Sequence, residues 1–160
     1  MKGEKSWGYQ QLMKLPTTDE NRQFKNLNQK KLYFLYKTIF PKNNVEIGFY
    51  PEWLINPKTG RKMELDIWDI DANLAIERQG VQHYRESKIF KYDNLENIRY
   101  RDRLKESICK KIGVKLIRFR YNEPHTIENL INKLNKIGID CEVRKLNPLI
   151  NSVRNNFNEK

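Results

Sequence analysis

The stretch from Met63 to Gly80 constrains this chain more than any other, because it reads as two β-strands joined by a tight turn. Side chains alternate between the two faces of a strand. With Asp71 and Ala72 as a two-residue loop, the commonest hairpin connection, facing residues have numbers that add up to 143. Asp66 then faces Glu77, and Glu64 faces Gln79. Leu65, Ile67, Leu74 and Ile76 share an apolar face, while Glu64, Asp66, Glu77 and Gln79 share a polar one. A loop of three residues would break these pairs. Facing Cβ atoms lie about 4.5–5.5 Å apart. Two carboxylates held so close repel each other and raise one pKa unless a cation sits between them. A solvated amphipathic face is the plain alternative, but it favours opposite charges across the strands. Here acid meets acid in a strongly basic protein, so Asp66 and Glu77 are a candidate site for a divalent metal.

The basic excess is large: 31 Lys and Arg against 20 Asp and Glu, a net charge of +11. Such a balance favours an anionic partner, with nucleic acid first. Part of it reflects a composition rich in Lys, Asn and Ile. The arginines Arg99, Arg101, Arg103, Arg118 and Arg120 gather late in the chain, near Tyr100 and Tyr121. At 160 residues, 38% hydrophobic and 32% charged, the chain is expected to form one soluble domain with a real core. No apolar run is long enough for a membrane span. The N-terminus lacks the apolar core of a signal peptide, so a cytoplasmic protein is expected, phage- or virus-encoded ones included. Cys109 and Cys141 form no CxxC pair, and with His83 and His125 they are not spaced for zinc.

Periodicity sets the remaining elements. Residues 1–25 read as a polar arm, 26–143 as a single domain and 144–160 as a basic, flexible tail. A helix is expected from about Asn26 to Phe40, with Leu32, Leu35, Tyr36 and Ile39 at helical spacing and Pro41 as its stop. Val45, Ile47 and Phe49 alternate as a first strand. Pro51 to Arg61 reads as a connection with a turn at Asn56–Gly60. After the hairpin, residues 80–94 are irregular. A helix from about Glu96 to Ile112 carries the stripe Leu104, Ile108 and Ile112 and stops at Gly113. Val114–Tyr121 is a strand. Thr126 caps a last helix with the stripe Ile127, Leu130, Ile131, Leu134 and Ile137. Ile139–Val143 reads as a short edge strand. The expected fold is α/β, one mixed sheet flanked by helices.

The order α-β-β-β-α-β, with acids on the second and third strands, resembles the restriction-endonuclease-like core of the PD-(D/E)XK nucleases. There an Asp on the second strand precedes a Glu-x-Lys on the third, and Asp66 and Glu77-Arg78-Gln79 hold those places. The run from Leu74 through Glu77 and Gly80 to Gln82, His83 and Tyr84 is similar to a segment of the branch related to very-short-patch-repair and phage homing endonucleases. Arg101-Asp102-Arg103-Leu104-Lys105 resembles that branch's RD-x-x-K helix, and Gly113–Phe119 its final core strand. The similarity covers about residues 27–135.

The resemblance implies a Mg2+-dependent DNA endonuclease, with Mn2+ as a substitute metal. Asp66 and Glu77 would hold the ion, while Gln79 and His83 complete the catalytic set, His83 as proton acceptor. Arg101, Arg103 and Lys105 would contact DNA phosphates, and Glu64, Asp102 and Gln29 would support the acids. Two positions depart from the pattern: Gln79 stands where Lys is usual, and Gln29 where relatives often carry Glu. Asp102 reads more readily as a helix-surface acid paired with Lys105. Homing, repair-type nicking and junction cleavage all remain open. A monomer would nick, and a symmetric homodimer would cut both strands. A nuclease fold that binds nucleic acid without turnover is the alternative that Gln79 and Gln29 suggest.

Overall fold

Leu32, Tyr36 and Ile39 recur on one side of a helix, and this stripe buries α1 (Leu27–Ile39) against a sheet. A computed structural model of the protein describes residues 27–80 and 95–141. The expected arm and tail lie outside these residues, and so does His83. After α1 come β1 (Val45–Phe49), β2 (Ile55–Asn56), β3 (Arg61–Lys62), β4 (Leu65–Asp69) and β5 (Leu74–Gln79). Then follow α2 (Leu95–Ile112), β6 (Lys115–Arg120) and α3 (Ile127–Lys136). The main sheet has the order β1-β4-β5-β6, with β5 and β6 parallel and the other pairs antiparallel. A parallel pair needs a long crossover, and α2 lies within the connection from β5 to β6. The fold is therefore α/β, a mixed sheet with helices on both faces.

Two apolar clusters hold the layers together. Ile67, Leu74, Ile76, Ile117 and Phe119 pack on α1 and α3, where Ile127, Leu130, Ile131 and Leu134 form the expected stripe. Thr126 caps α3, its hydroxyl accepting from the Asn129 amide. On the other face Trp68, Ala75 and Leu116 meet Cys109, Leu104 and Ile108 of α2. Ile112 is exposed, contrary to the expected stripe. The helix ends there, Gly113 turns the chain at φ +80°, and Val114 takes the place in the core.

The hairpin pairs Ile67 with Ile76, Trp68 with Ala75 and Asp69 with Leu74, which is the expected register. Its loop is longer than two residues: the ladder stops at Asp69 and Leu74, and Ile70–Asn73 make the turn, with Asn73 at φ +49°. Buried Asp69 explains the longer loop. Its Oδ1 accepts from the Ala72 amide at 3.0 Å, and its Oδ2 from Tyr36 Oη at 2.5 Å and Asn43 Nδ2 at 2.7 Å. A side chain thus organises the turn that two residues alone would otherwise make.

Three further expectations change. Leu65 does not join Ile67 on the α1 face but packs with Leu54 and Met63, which flank a small ribbon. That ribbon, β2 paired with β3, replaces the expected plain connection at 51–61. The Asn56 side chain accepts from the Lys58 amide at 3.0 Å, an Asx turn, and Gly60 closes it at φ +68°. Of the expected edge strand, Ile139–Cys141 are not in a strand, the Cys141 amide donating to the Asn135 side chain at 2.8 Å, and residues 142–143 lie outside the described residues. Among the described residues no helix is long and apolar enough to cross a membrane.

Candidate active site

The sheet forks where the acids stand. β4 stays paired with β1 as far as Leu65 and Phe49, and β5 stays paired with β6 as far as Gln79 and Arg120. Between β4 and β5 the ladder ends at Ile67 and Ile76. The next facing positions are Asp66 and Glu77, and here side chains replace the backbone ladder. The Asp66 amide donates to Glu77 Oε1 at 3.3 Å, and the Arg78 amide donates to Asp66 Oδ2 at 2.8 Å. Buried amides need acceptors, so the two carboxylates satisfy the backbone of the fork and are fixed by it. Opposite Asp66 in the β1 register lies Gly48, at φ +62°. A Cβ there would come within 3.1 Å of Glu64 Oε1.

Two other elements reach the pair. Gln29 of α1, 2% exposed, donates through Nε2 to Asp66 Oδ1 at 3.4 Å and to its carbonyl at 3.3 Å. Lys105 of α2 places Nζ 2.7 Å from Glu77 Oε2, with both side chains largely buried. The cation that facing acids demand is therefore supplied by α2. Burial, helped by the Asp66 charge, raises the Glu77 carboxyl to about 7 against the opposing pull of Lys105 and of the Asp66 amide.

These groups line a cleft of about 520 Å³. The ribbon contributes Asn56, Arg61 and Lys62, and α2 contributes Arg101, Asp102 and Lys105. Glu64 lines it too, its Oε2 accepting from Tyr50 Oη at 2.6 Å. The cleft thus brings carboxylates and cations together on one lining.

The structure brings Asp66, Glu77, Gln29, Glu64, Arg101, Asp102 and Lys105 to this cleft. Gln79 does not line it: its Nε2 donates to Asp102 Oδ2 at 3.0 Å, in a neighbouring groove. Arg103 also lines that second groove. Lys105 pairs with Glu77 rather than with Asp102. Sequence reasoning missed Asn56, Arg61 and Lys62. Their signal was the Asn-Pro-Lys-Thr-Gly turn, which sets two short strands back to back beside the site.

Metal fit follows from the donors. Each of the four carboxylate oxygens has one donor among the described residues, and a carboxylate offers about four acceptor positions. Among the described residues no group of three or more His, Cys, Asp or Glu could hold an ion. A cage of protein ligands is therefore absent from that set. Two carboxylates do suit Mg2+, which keeps several waters and takes one or two carboxylates.

The chain is similar to viral proteins. It is 36% identical over 87 residues to "Uncharacterized protein 094L" of Frog virus 3 (isolate Goorha), covering 52% of this chain and 54% of that one. It is 38% identical over 91 residues to "Uncharacterized protein 033L" of Invertebrate iridescent virus 3, covering 55% and 42%. It is 34% identical over 96 residues to "Uncharacterized protein 307L" of Invertebrate iridescent virus 6, covering 55% and 48%. The matches span about half the length of these curated relatives. No family model matches the chain, and no solved structure matches it significantly. The viral relatives agree with the expectation that a virus can encode such a chain.

Proposed function

We propose that this protein is a metal-dependent endonuclease that hydrolyses phosphodiester bonds in DNA, built on a restriction-endonuclease-like core. The observation that carries the reading is the fork: two facing carboxylates, Glu77 held by the Asp66 amide and Asp66 by the Arg78 amide, in a cleft that cations also line. Asp66 and Glu77 would hold Mg2+ or Mn2+. A divalent ion there supplies charge to the scissile phosphate and makes a water more acidic.

The chain's own groups do the rest. Gln29 orients the Asp66 carboxylate. Lys105, next to Glu77, brings the positive charge that neutral Gln79 does not, and stands where charge builds up on a phosphate bound over the acids. Gln79 instead fixes Asp102 and so the face of α2 that carries Lys105. Arg61, Lys62 and Arg101 position the backbone and carry no sequence code. His83 remains the proposed proton acceptor, since an unperturbed His titrates near pH 6.5.

A second reading, a binding module without turnover, draws on the same ion pair. Lys105 already neutralises Glu77, and Gln79 is engaged by Asp102. Nicking of supercoiled plasmid in Mg2+ or Mn2+, beside Asp66→Ala and Glu77→Ala, separates the two. Nicking that needs metal and both acids supports the nuclease. Salt-sensitive binding without cleavage in either metal supports the module.

A further inference from the structure

Helix α2 divides its cations between two grooves. Arg101 and Lys105, one turn apart, line the acidic cleft. Arg99 and Arg103, also one turn apart, line a second groove of about 500 Å³ between α2 and β6. Residues four apart share a helix face, so the alternation along 99–105 sends successive arginines to opposite sides. Asp102 lines both grooves and forms the divide between them.

The second groove is built to be cationic. Its cations are Arg99, Arg103, Arg118, Arg120 and Lys133, and its acids are Asp102, Glu106 and Glu123. The acids are engaged. Glu106 binds Arg118 at 2.7 Å, Glu123 binds Lys133 at 2.7 Å, and Asp102 takes the Gln79 amide. Arg118 also donates to the Asp102 carbonyl at 2.5 Å, which ties α2 to β6. Arg99 and Arg103 are exposed, and no carboxylate among the described residues pairs with them. Two guanidiniums on one helix face, unneutralised beside a groove, match an anion with several oxygens.

The position gives the anion its identity. In the parallel register Glu77 partners Arg118 and Gln79 partners Arg120. The groove therefore begins one strand, about 4.8 Å, from the acids on the same face of the sheet. Successive nucleotides advance about 3.4 Å along a duplex axis, so a strand with one phosphate over the acids reaches the groove within its next few phosphates. We propose that this groove is a second phosphate-binding site, which holds the DNA backbone where it leaves the acidic cleft. Arg99 and Arg103 are its main contacts. The identity of the anion as DNA backbone rests on the proposed function; the exposed guanidinium pair beside the groove does not.

The test is anisotropy of a labelled duplex oligonucleotide over a range of salt, with wild type, Arg99→Ala/Arg103→Ala and Arg99→Lys/Arg103→Lys. Each phosphate contact contributes about 0.9 to the slope of log affinity against log salt. The alanine pair is expected to lower that slope by about 2 and affinity by tenfold or more. The melting temperature and Mn2+ binding at Asp66 and Glu77 stay unchanged, and the lysine pair keeps most of the slope. An unchanged slope and affinity overturn the proposal. A groove that binds polyglutamate through Arg99 and Arg103 while the DNA slope stays fixed also overturns it, in favour of an acidic protein partner. A lowered slope in a protein that never nicks DNA upholds the groove and removes only the nuclease reading. Unimpaired nicking and binding by the alanine pair removes only the groove.

Discussion

Replacing Lys105 by Met tests whether the buried ion pair holds the fork together. Lys105→Met keeps an unbranched apolar stem and deletes the ammonium 2.7 Å from Glu77. Burial already holds the Glu77 carboxyl at about 7 instead of its ordinary 4.5. The folded state therefore binds this proton more tightly than the unfolded chain. The stability contributed by Glu77 is full below about pH 4.5 and is lost as pH rises through about 7. At roughly 1.4 kcal/mol per pH unit, the loss across that window is about 3 kcal/mol. Without Lys105 the carboxyl climbs further, and the loss continues above pH 7. At pH 5.5 Glu77 is protonated in both proteins, the ion pair is already dissolved, and the variant is expected within about 1 kcal/mol of wild type. At pH 8.5 the variant keeps the buried carboxyl without its ammonium, and at roughly 1.4 kcal/mol per unit above pH 7 this costs up to about 2 kcal/mol. For a chain of this size that lowers the melting temperature by roughly 4–8 °C. Thermal unfolding at both pH values, with Lys105→Met/Glu77→Gln as the neutral pair, makes the measurement. The double variant should lose the pH dependence. An equal loss at pH 5.5 and 8.5 would refute the reasoning, because it would make Lys105 a packing residue.

Tyr36→Phe removes a donor to fully buried Asp69 and should cost about 2 kcal/mol in urea unfolding at neutral pH; a loss under 0.5 kcal/mol, roughly a surface-mutation effect, would make Asn43 and the Ala72 amide sufficient. Gly48→Ala meets both a left-handed φ of +62° and Glu64 Oε1 at 3.1 Å, so a loss of about 1–2 kcal/mol is expected, and Gly48→Asn, better suited to that backbone, should lose less. Mn2+ affinity at Asp66 and Glu77, read by calorimetry, should weaken as pH falls below about 7, where protons compete for Glu77; an affinity flat from pH 5.5 to 8 would place the metal elsewhere.

Much of this architecture is legible in the sequence because it is local. Alternation along Leu65–Asp69 and Leu74–Gln79 gives the hairpin its parity, and a one-residue slip would exchange the two faces. The stripe on α3 and the stops at Pro41 and Gly113 follow from spacings of a few residues. Those patterns also place Asp66 opposite Glu77, and alternation puts Arg118 and Arg120 on the face away from Ile117 and Phe119. None of this requires knowing what lies across the sheet.

Other features depend on partners far away in the chain, and no local period encodes them. The turn lengthens because Asp69 meets Tyr36 and Asn43 of another layer. Leu65 changes cluster because it meets Leu54 and Met63, which flank the β2–β3 ribbon. The cation for the acid pair comes from Lys105, 28 residues beyond Glu77, and burial by α2 is what lifts the Glu77 carboxyl. Arg101 and Arg103 read as equivalent in the sequence, yet the seating of α2 sends them to different grooves. The sequence by itself thus determined the main helices and strands, most of their faces and the facing of the two acids, since backbone geometry repeats every two or every 3.6 residues. Only the tertiary structure decided where the sheet forks, which cation neutralises the acids and which groove each arginine serves, because desolvation and ion pairing act through space between residues that the chain keeps apart.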